Sequence, residues 1–390
     1  MADPLVIVGA GLAGLSAALE LEAAGESCLI FDSAKHVGGK LETTVIDDAY
    51  RIDRGFQVLL PSYPELKKFK NLESELQLRF FNSGARLELD DESLIMANPF
   101  QHPSNFFSTL FGNYGTFKDK LLILKLQAEI LFMPPERLLL TESGTTIDFL
   151  RAFGFSETII NSFWTPFFSG IFLESDLQTA AGFFKYLTRM FASSPVAVPN
   201  FGIAELPIWM SQKITRSEIR LSTDVVSIHD NVVELGTRQK IKARAVICDS
   251  TSTQKSNKHR FGSVTSFWFK SPEAPYEGAW LSLIPGSSQK KKLINHVAVL
   301  SNVSRGYAMK GDALICVNVI GTAPEVNLQS VLAEASQLYG ATVSTWTLLR
   351  EDRITKAFPL YLDRADFDTP SQQGALERGR FLAKQILKKL

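Results

Sequence analysis

Leu5-Val6-Ile7-Val8-Gly9-Ala10-Gly11-Leu12-Ala13-Gly14 begins the segment that decides the fold, and Cys28-Leu29-Ile30-Phe31-Asp32 closes it. Residues 5–8 are apolar at every position, as a parallel strand buried on both faces requires. The Gly-x-Gly-x-x-Gly run follows at once. Gly9 permits the tight turn, Gly11 lets the backbone approach a phosphate with no Cβ in the way, and Gly14 allows close helix-to-strand packing. The helix starting at Leu12 and Ala13 then turns its N-terminus toward negative charge. Leu12, Leu15, Leu19 and Ala23 repeat at helical spacing, Gly25 sits where a C-cap is expected, and residues 28–31 supply a second buried strand. Asp32 lies 18 residues beyond Gly14, near the roughly 20 expected for the acid that accepts hydrogen bonds from an adenosine ribose. Glycine-rich turns alone often serve packing only. A strand before the turn, a helix after it and an acid at the next strand end together specify a dinucleotide-binding βαβ unit.

The chain has 390 residues, 45% of them hydrophobic, which implies a globular protein with two lobes and excludes the disordered class. Lysine plus arginine equals aspartate plus glutamate at 41 each, so no net field favours nucleic acid or an anionic membrane, and the expected partner is a small molecule. Oligomeric state is left open. Cys28, Cys248 and Cys316 are far apart and never in CxxC spacing. That pattern argues for reduced thiols, with no disulfide or zinc framework, and for a cytoplasmic location. The first strand starts by Leu5, so no secretory signal is expected. His36, His102, His229, His259 and His296 show no HxxH or HExxH pairing and read as structural residues, leaving no metal site.

Val37-Gly38-Gly39-Lys40 follows Asp32 and is not a phosphate-binding P-loop. That motif needs glycine at 34 and a hydroxyl at 41, where this chain has Ala34 and Leu41. Further along come Arg51-Ile52-Asp53-Arg54-Gly55-Phe56-Gln57 and Phe163-Trp164-Thr165-Pro166-Phe167-Phe168-Ser169-Gly170-Ile171-Phe172-Leu173. The glycine-containing turn Pro199 to Pro207 and the C-terminal stretch Ala365-Asp366 with Ser371-Gln372-Gln373-Gly374-Ala375-Leu376 complete the set. In this order these segments resemble the flavoprotein amine oxidase superfamily, which includes phytoene desaturases and protoporphyrinogen oxidases.

The resemblance implies an α/β fold: a discontinuous glutathione-reductase-type FAD-binding Rossmann-like domain with a second, α+β substrate domain. Residues 1–60, 196–256 and 351–390 would form the FAD-binding lobe, and residues 61–195 and 257–350 the substrate lobe. FAD would contact Gly9, Gly11, Leu12, Ala13, Gly14, Asp32, Gly38, Gly39, Lys40, Gly55, Phe56 and Gln57. The resemblance also implies that Val226 meets adenine through its backbone and that Asp366 accepts a ribityl hydroxyl. A last helix beginning near Gln372 and Gln373 could stabilise negative charge at N1 and O2 of the ring through its free N–H groups. Leu221 to Val226 and Ala243 to Cys248 read as two strands of the FAD lobe.

Several positions depart from the family pattern. Asp32 replaces the usual glutamate, Ala365 a glycine and Arg378 a serine, while Ala357-Phe358-Pro359 joins the closing motif with almost no intervening chain. The lysine that amine oxidases use near the flavin has no match, and no catalytic side chain is assigned. Thr116 to Met133 reads as a helix whose apolar part, Leu121 to Met133, is too short to span a bilayer. It is expected to be a buried helix of the substrate lobe, with peripheral membrane contact as the other reading. The 28 phenylalanines and the desaturase-like motifs favour removal of hydride from a lipophilic substrate to flavin N5. An amine oxidase releasing hydrogen peroxide and a flavin-binding protein without turnover are the alternatives.

Overall fold

The computed structural model describes residues 3–89, 92–97, 112, 114–140, 144–248, 261–286, 292–359 and 369–390. β1 (Leu5–Val8), α1 (Leu12–Ala23) and β2 (Cys28–Phe31) form over the residues the sequence pattern predicts. They belong to a four-stranded parallel sheet in which β1 lies between β2 and Ala245–Cys248, with Glu218–Arg220 beyond β2. Both faces are covered. Leu5 and Ile7 pack with Ala17, Ala18, Leu21 and Ala383, while Val6 packs with Val233 and Leu235 of the antiparallel strands on the other side. The chain leaves β1 to one side and returns on the other, so the strand order reverses at the carboxyl end of β1. Open α/β sheets bind ligands at such a point.

A second sheet has seven strands, in the order Thr347–Pro359, Phe261–Ser271, Ala313–Ile320, Ile294–Val299, Leu281–Leu283, Gly84–Glu88 and Ser93–Ala97. Phe267, Phe269, Val297 and Val317 on one face pack with Val331 and Ala335 of the helix Leu328–Tyr339. Trp268, Ala298 and Cys316 on the other pack on Tyr50 and Ile52. This contact ties the large sheet to the strand pair Thr43–Ile46 and Tyr50–Asp53. Helices Phe117–Leu131, Thr146–Phe153, Thr165–Phe172 and Ala181–Ser193 share one core through Leu126, Leu150, Phe168 and Phe184.

Three expectations need correction. Residues 351–359 do not stay with the FAD-binding segments, because they continue the strand Thr347–Pro359 and pair with Phe261–Ser271. Leu221 to Val226 is not one strand. Ser222 adopts φ +51, and Ser222 and Thr223 donate their amides to the Ala34 and Asp32 carbonyls, so pairing stops at Arg220 and resumes at Val225. The helix Phe117–Leu131 is not buried all round. Leu126 and Ile130 face the core, whereas Phe117, Leu121, Leu124 and Leu131 are exposed. Among the described residues no helix is long and apolar enough to cross a membrane.

Candidate cofactor site

The turn after β1 is shaped for a backbone-bound anion. Gly9 has φ +103. Gly11 is the N-cap of α1, which has neither a side-chain cap nor an acidic residue in its first turn, so among the described residues no side chain caps its leading N–H groups at Leu12 and Ala13. A Cβ on Gly11 would meet nothing closer than the Gly39 Cα at 3.9 Å, whereas one on Gly14 would stand 1.8 Å from the Gly9 carbonyl oxygen. Gly11 therefore guards space beside the helix end, and Gly14 serves the packing beneath it. The Gly38 amide donates to the Ala10 carbonyl at 2.9 Å and Gly11 bridges Gly38, which brings the Gly38-Gly39 turn to the rim of the cradle.

Asp32 closes the same turn from the other side. Its carboxylate accepts from the Ala10 amide at 2.6 Å and the Ala34 amide at 2.8 Å, one on each oxygen. Each oxygen keeps a second lone pair, enough for ribose hydroxyls. Val226 falls in the irregularity between Val225 and Ser227, outside the ladder with Val232–Leu235, and its side chain is exposed. Its peptide groups are thus not committed to that register.

From the Gly38-Gly39 turn the site continues toward the large sheet. Gln57 donates through Nε2 to the carbonyls of Lys40 at 2.9 Å and Arg54 at 3.0 Å, tying the two loops together. Gly55 donates its amide to Asp352 at 3.4 Å. The Phe56 ring lies tilted against that of His296, centroid to centroid 5.1 Å. Gln373 is buried and its side chain is occupied, accepting from the Glu65 amide at 2.9 Å and donating to Glu377. What Gln373 offers to a ligand is the first turn of the C-terminal helix Gln372–Leu387, which Ser371 caps at the Gly374 amide. Asp366 lies outside the described residues.

Asp53, inside the quoted 51–57 segment, is a buried hub that the sequence did not single out as a site residue. It accepts from Thr43 Oγ1 at 2.6 Å, Tyr307 OH at 2.6 Å and the Ile203 amide at 3.0 Å. Burial pushes its carboxyl up to about 6, against the opposing pull of those donors and of Arg350. Thr43 also accepts from the Ala204 amide at 3.0 Å. One carboxyl group thus fixes the turn near 200–204, the turn near 305–307 and the strand leading into Gly55. An acid before a glycine was the only sequence signal for it, and Tyr307 had none.

The open space at Gly11, the uncapped end of α1 and the spare lone pairs of Asp32 fit the pyrophosphate and ribose of a dinucleotide, and define a nucleotide-binding flavoprotein-type lobe joined to a second sheet. A profile of the family described as flavin containing amine oxidoreductase matches residues 12–383. The chain belongs to that family, whose members are FAD-dependent oxidoreductases, and its cofactor is FAD. A probable zeta-carotene desaturase of Synechococcus elongatus is 34% identical over 125 residues, which are 30% of this chain and 25% of that protein. The match thus spans about a quarter of that relative. An oxidoreductase from Methanosarcina mazei superimposes with a TM-score of 0.71 at 16% identity, covering 98% of this chain and 99% of the other. Cyclohexylamine oxidase from Brevibacterium oxydans does so with a TM-score of 0.66 at 14% identity, covering 100% and 99%. Both share the fold.

Proposed function

We propose that the chain is an FAD-dependent oxidoreductase that removes hydride from a lipophilic substrate, in the manner of a desaturase or dehydrogenase. FAD, when bound, supplies the two-electron acceptor at N5. Gly11 and the α1 end would hold its pyrophosphate and Asp32 its ribose, and Gly38, Gly39 and Gly55 to Gln57 would line the path toward the second lobe. The N–H groups at the start of the C-terminal helix favour negative charge placed near them.

The observation that carries the substrate class is the state of the buried acids. Asp53, Glu65, Glu88 and Asp119 are the buried carboxylates among the described residues, and each is already engaged. Asp53 holds Thr43, Tyr307 and Ile203; Glu65 pairs with Lys68 and Arg380; Glu88 with Arg86 and Ser282; Asp119 with Thr116 and Ser156. Among the described residues no buried acid is left uncommitted to offset the desolvation of an ammonium group, which favours an uncharged reacting group. The match to a carotene desaturase supports the same reading.

The proposal extends to peripheral contact with a lipid surface. Phe117, Leu121, Leu124 and Leu131 are 64%, 52%, 54% and 43% exposed, and Phe132 follows at 90%. Their helical spacing makes one apolar stripe turned to solvent, suited to lie in a headgroup boundary. Substrate class is tested by adding candidates to the FAD-loaded protein without oxygen and following loss of flavin colour. Polyenes or porphyrinogens are expected to bleach it. Bleaching by primary or secondary amines alone, with peroxide on reoxidation, would replace this reading with an amine oxidase, and no bleaching by any class with a flavin-binding protein lacking turnover.

A further inference from the structure

The large sheet carries a polar row across the face that meets Tyr50 and Ile52. Asp352, Ser266, Asn318 and His296 are successive cross-strand partners on four neighbouring strands. Ser266 donates to Asn318 Oδ1 at 2.6 Å, Asn318 donates to Cys316 Sγ at 3.2 Å, and Asp352 takes the Gly55 amide and Arg350. His296 ends the row and is 5% exposed. Its Nε2 is buried and has no hydrogen-bond partner in the protein.

The hydrogen bonds around His296 fix its tautomer. Asn295 donates Nδ2 to the Pro166 carbonyl at 3.1 Å, and a carbonyl can only accept, so the amide oxygen of Asn295 points the other way. That oxygen lies 2.7 Å from His296 Nδ1. Nδ1 must therefore carry the proton, and Nε2 presents a lone pair. Burial favours the neutral ring, holding its acidity down to about 4. A buried acceptor with no donor is costly unless a ligand supplies one.

The position of this acceptor matters as much as its state. The ring packs against Phe56 at 5.1 Å, and Phe56 is half-buried. Phe56 follows Gly55 and precedes Gln57, which is bonded to Lys40 beside the Gly38-Gly39 turn. His296 thus stands behind one aromatic ring at the end of the cofactor path that faces the second lobe. The Gly170 backbone approaches the ring at its Nδ1 edge, since a Cβ there would lie 2.9 Å from Nδ1 and 3.2 Å from Cε1, which leaves Phe56 as the contact on the side of the Gly55–Gln57 loop.

We propose that Nε2 of His296 accepts a hydrogen bond from a hydroxyl or N–H group on an otherwise apolar substrate, which makes His296 a specificity-determining residue. The inference rests on the lipophilic-substrate reading above and adds to it one required polar group. In sequence this histidine has no signal, since no neighbouring motif marks it.

The test compares a long-chain isoprenoid alcohol with the isoprenoid hydrocarbon of the same length, titrated from detergent micelles into FAD-loaded wild type and His296→Phe. Displacement of the flavin absorption bands reports binding without turnover. The alcohol is expected to bind about tenfold tighter than the hydrocarbon in wild type and equally in the variant, the effect of one neutral hydrogen bond. Equal binding of both lipids to wild type, or a preference that survives in His296→Phe, overturns the role of His296 and leaves the lipophilic reading standing. Failure of both lipids to bind wild type sinks the lipophilic reading and the substrate class named here with it. Nitrogen-15 shifts of labelled histidine provide a second readout, with the His296 signals identified by their loss in His296→Gln. They should show a protonated Nδ1 and a lone pair at Nε2 that responds to the alcohol and not to the hydrocarbon. A protonated Nε2 would overturn the proposal.

Discussion

A branched side chain added at Gly11 should disturb flavin binding more than the loss of the Asp32 carboxylate. The space beside Gly11 is open, so Gly11→Val should fold yet fill the pyrophosphate cradle, and the flavin content of the purified variant should fall to a small fraction of wild type. Asp32→Ala removes charged hydrogen bonds worth about 1.5–3 kcal/mol and should weaken FAD binding by a measurable but smaller factor in an equilibrium titration. Asp53 makes a pH prediction. Its folded acidity of about 6 stands above the ordinary 3.8 because of burial, so the folded state holds a proton there that the unfolded chain releases. Stability contributed at this site is therefore present below pH 4 and declines as pH rises toward 6, by up to about 3 kcal/mol. Denaturant midpoints of wild type relative to Asp53→Asn should drop across that window and level off above it; a rise would contradict the assignment. At this scale the sequence displayed the glycines and Asp32, whose roles follow from local backbone geometry. Asp53 acquires its role largely from Ile203 and Tyr307, 150 and 254 residues away, and His296 from an unpaired atom, and no local pattern encodes either.

At the scale of elements, the contact between α1 and the C-terminal helix holds the cradle in place. A Cβ on Gly379 would stand 1.9 Å from the Ala13 carbonyl oxygen, Ser16 donates to the Leu376 carbonyl at 2.7 Å, and Arg380 bridges Glu20 and Glu65. Backbone cannot yield there as a side chain could. Gly379→Val is expected to cost about 3 kcal/mol in denaturant unfolding and to reduce flavin retention with it. The exposed stripe gives a second expectation: Leu121→Asp with Leu124→Asp should abolish co-sedimentation with phospholipid vesicles while leaving flavin content unchanged. Both β1 and β2, and the C-terminal helix to Leu387, were legible because apolar runs and capping residues mark them. The supposed strand at 221–226 was not, because backbone bonds to Ala34 and Asp32 break it at Ser222. The exposure of Leu121 and Leu124 was missed because an apolar stripe has the same spacing whether it faces core or solvent.

Over the whole molecule, the Gly55–Gln57 loop links the large sheet at Asp352 to the Gly38-Gly39 side at Lys40, and the family match over residues 12–383 spans both. Sequence order disclosed the discontinuous lobes but not their join, since a continuous strand through residue 351 carries no break in composition at the lobe boundary. The account stands on the cradle holding FAD. Denaturing the purified yellow protein and identifying what enters the supernatant tests this most directly. Release of FAD, near one per chain and noncovalent, is the expected result; NAD alone, FMN, or no nucleotide from a protein shown to be folded would contradict it.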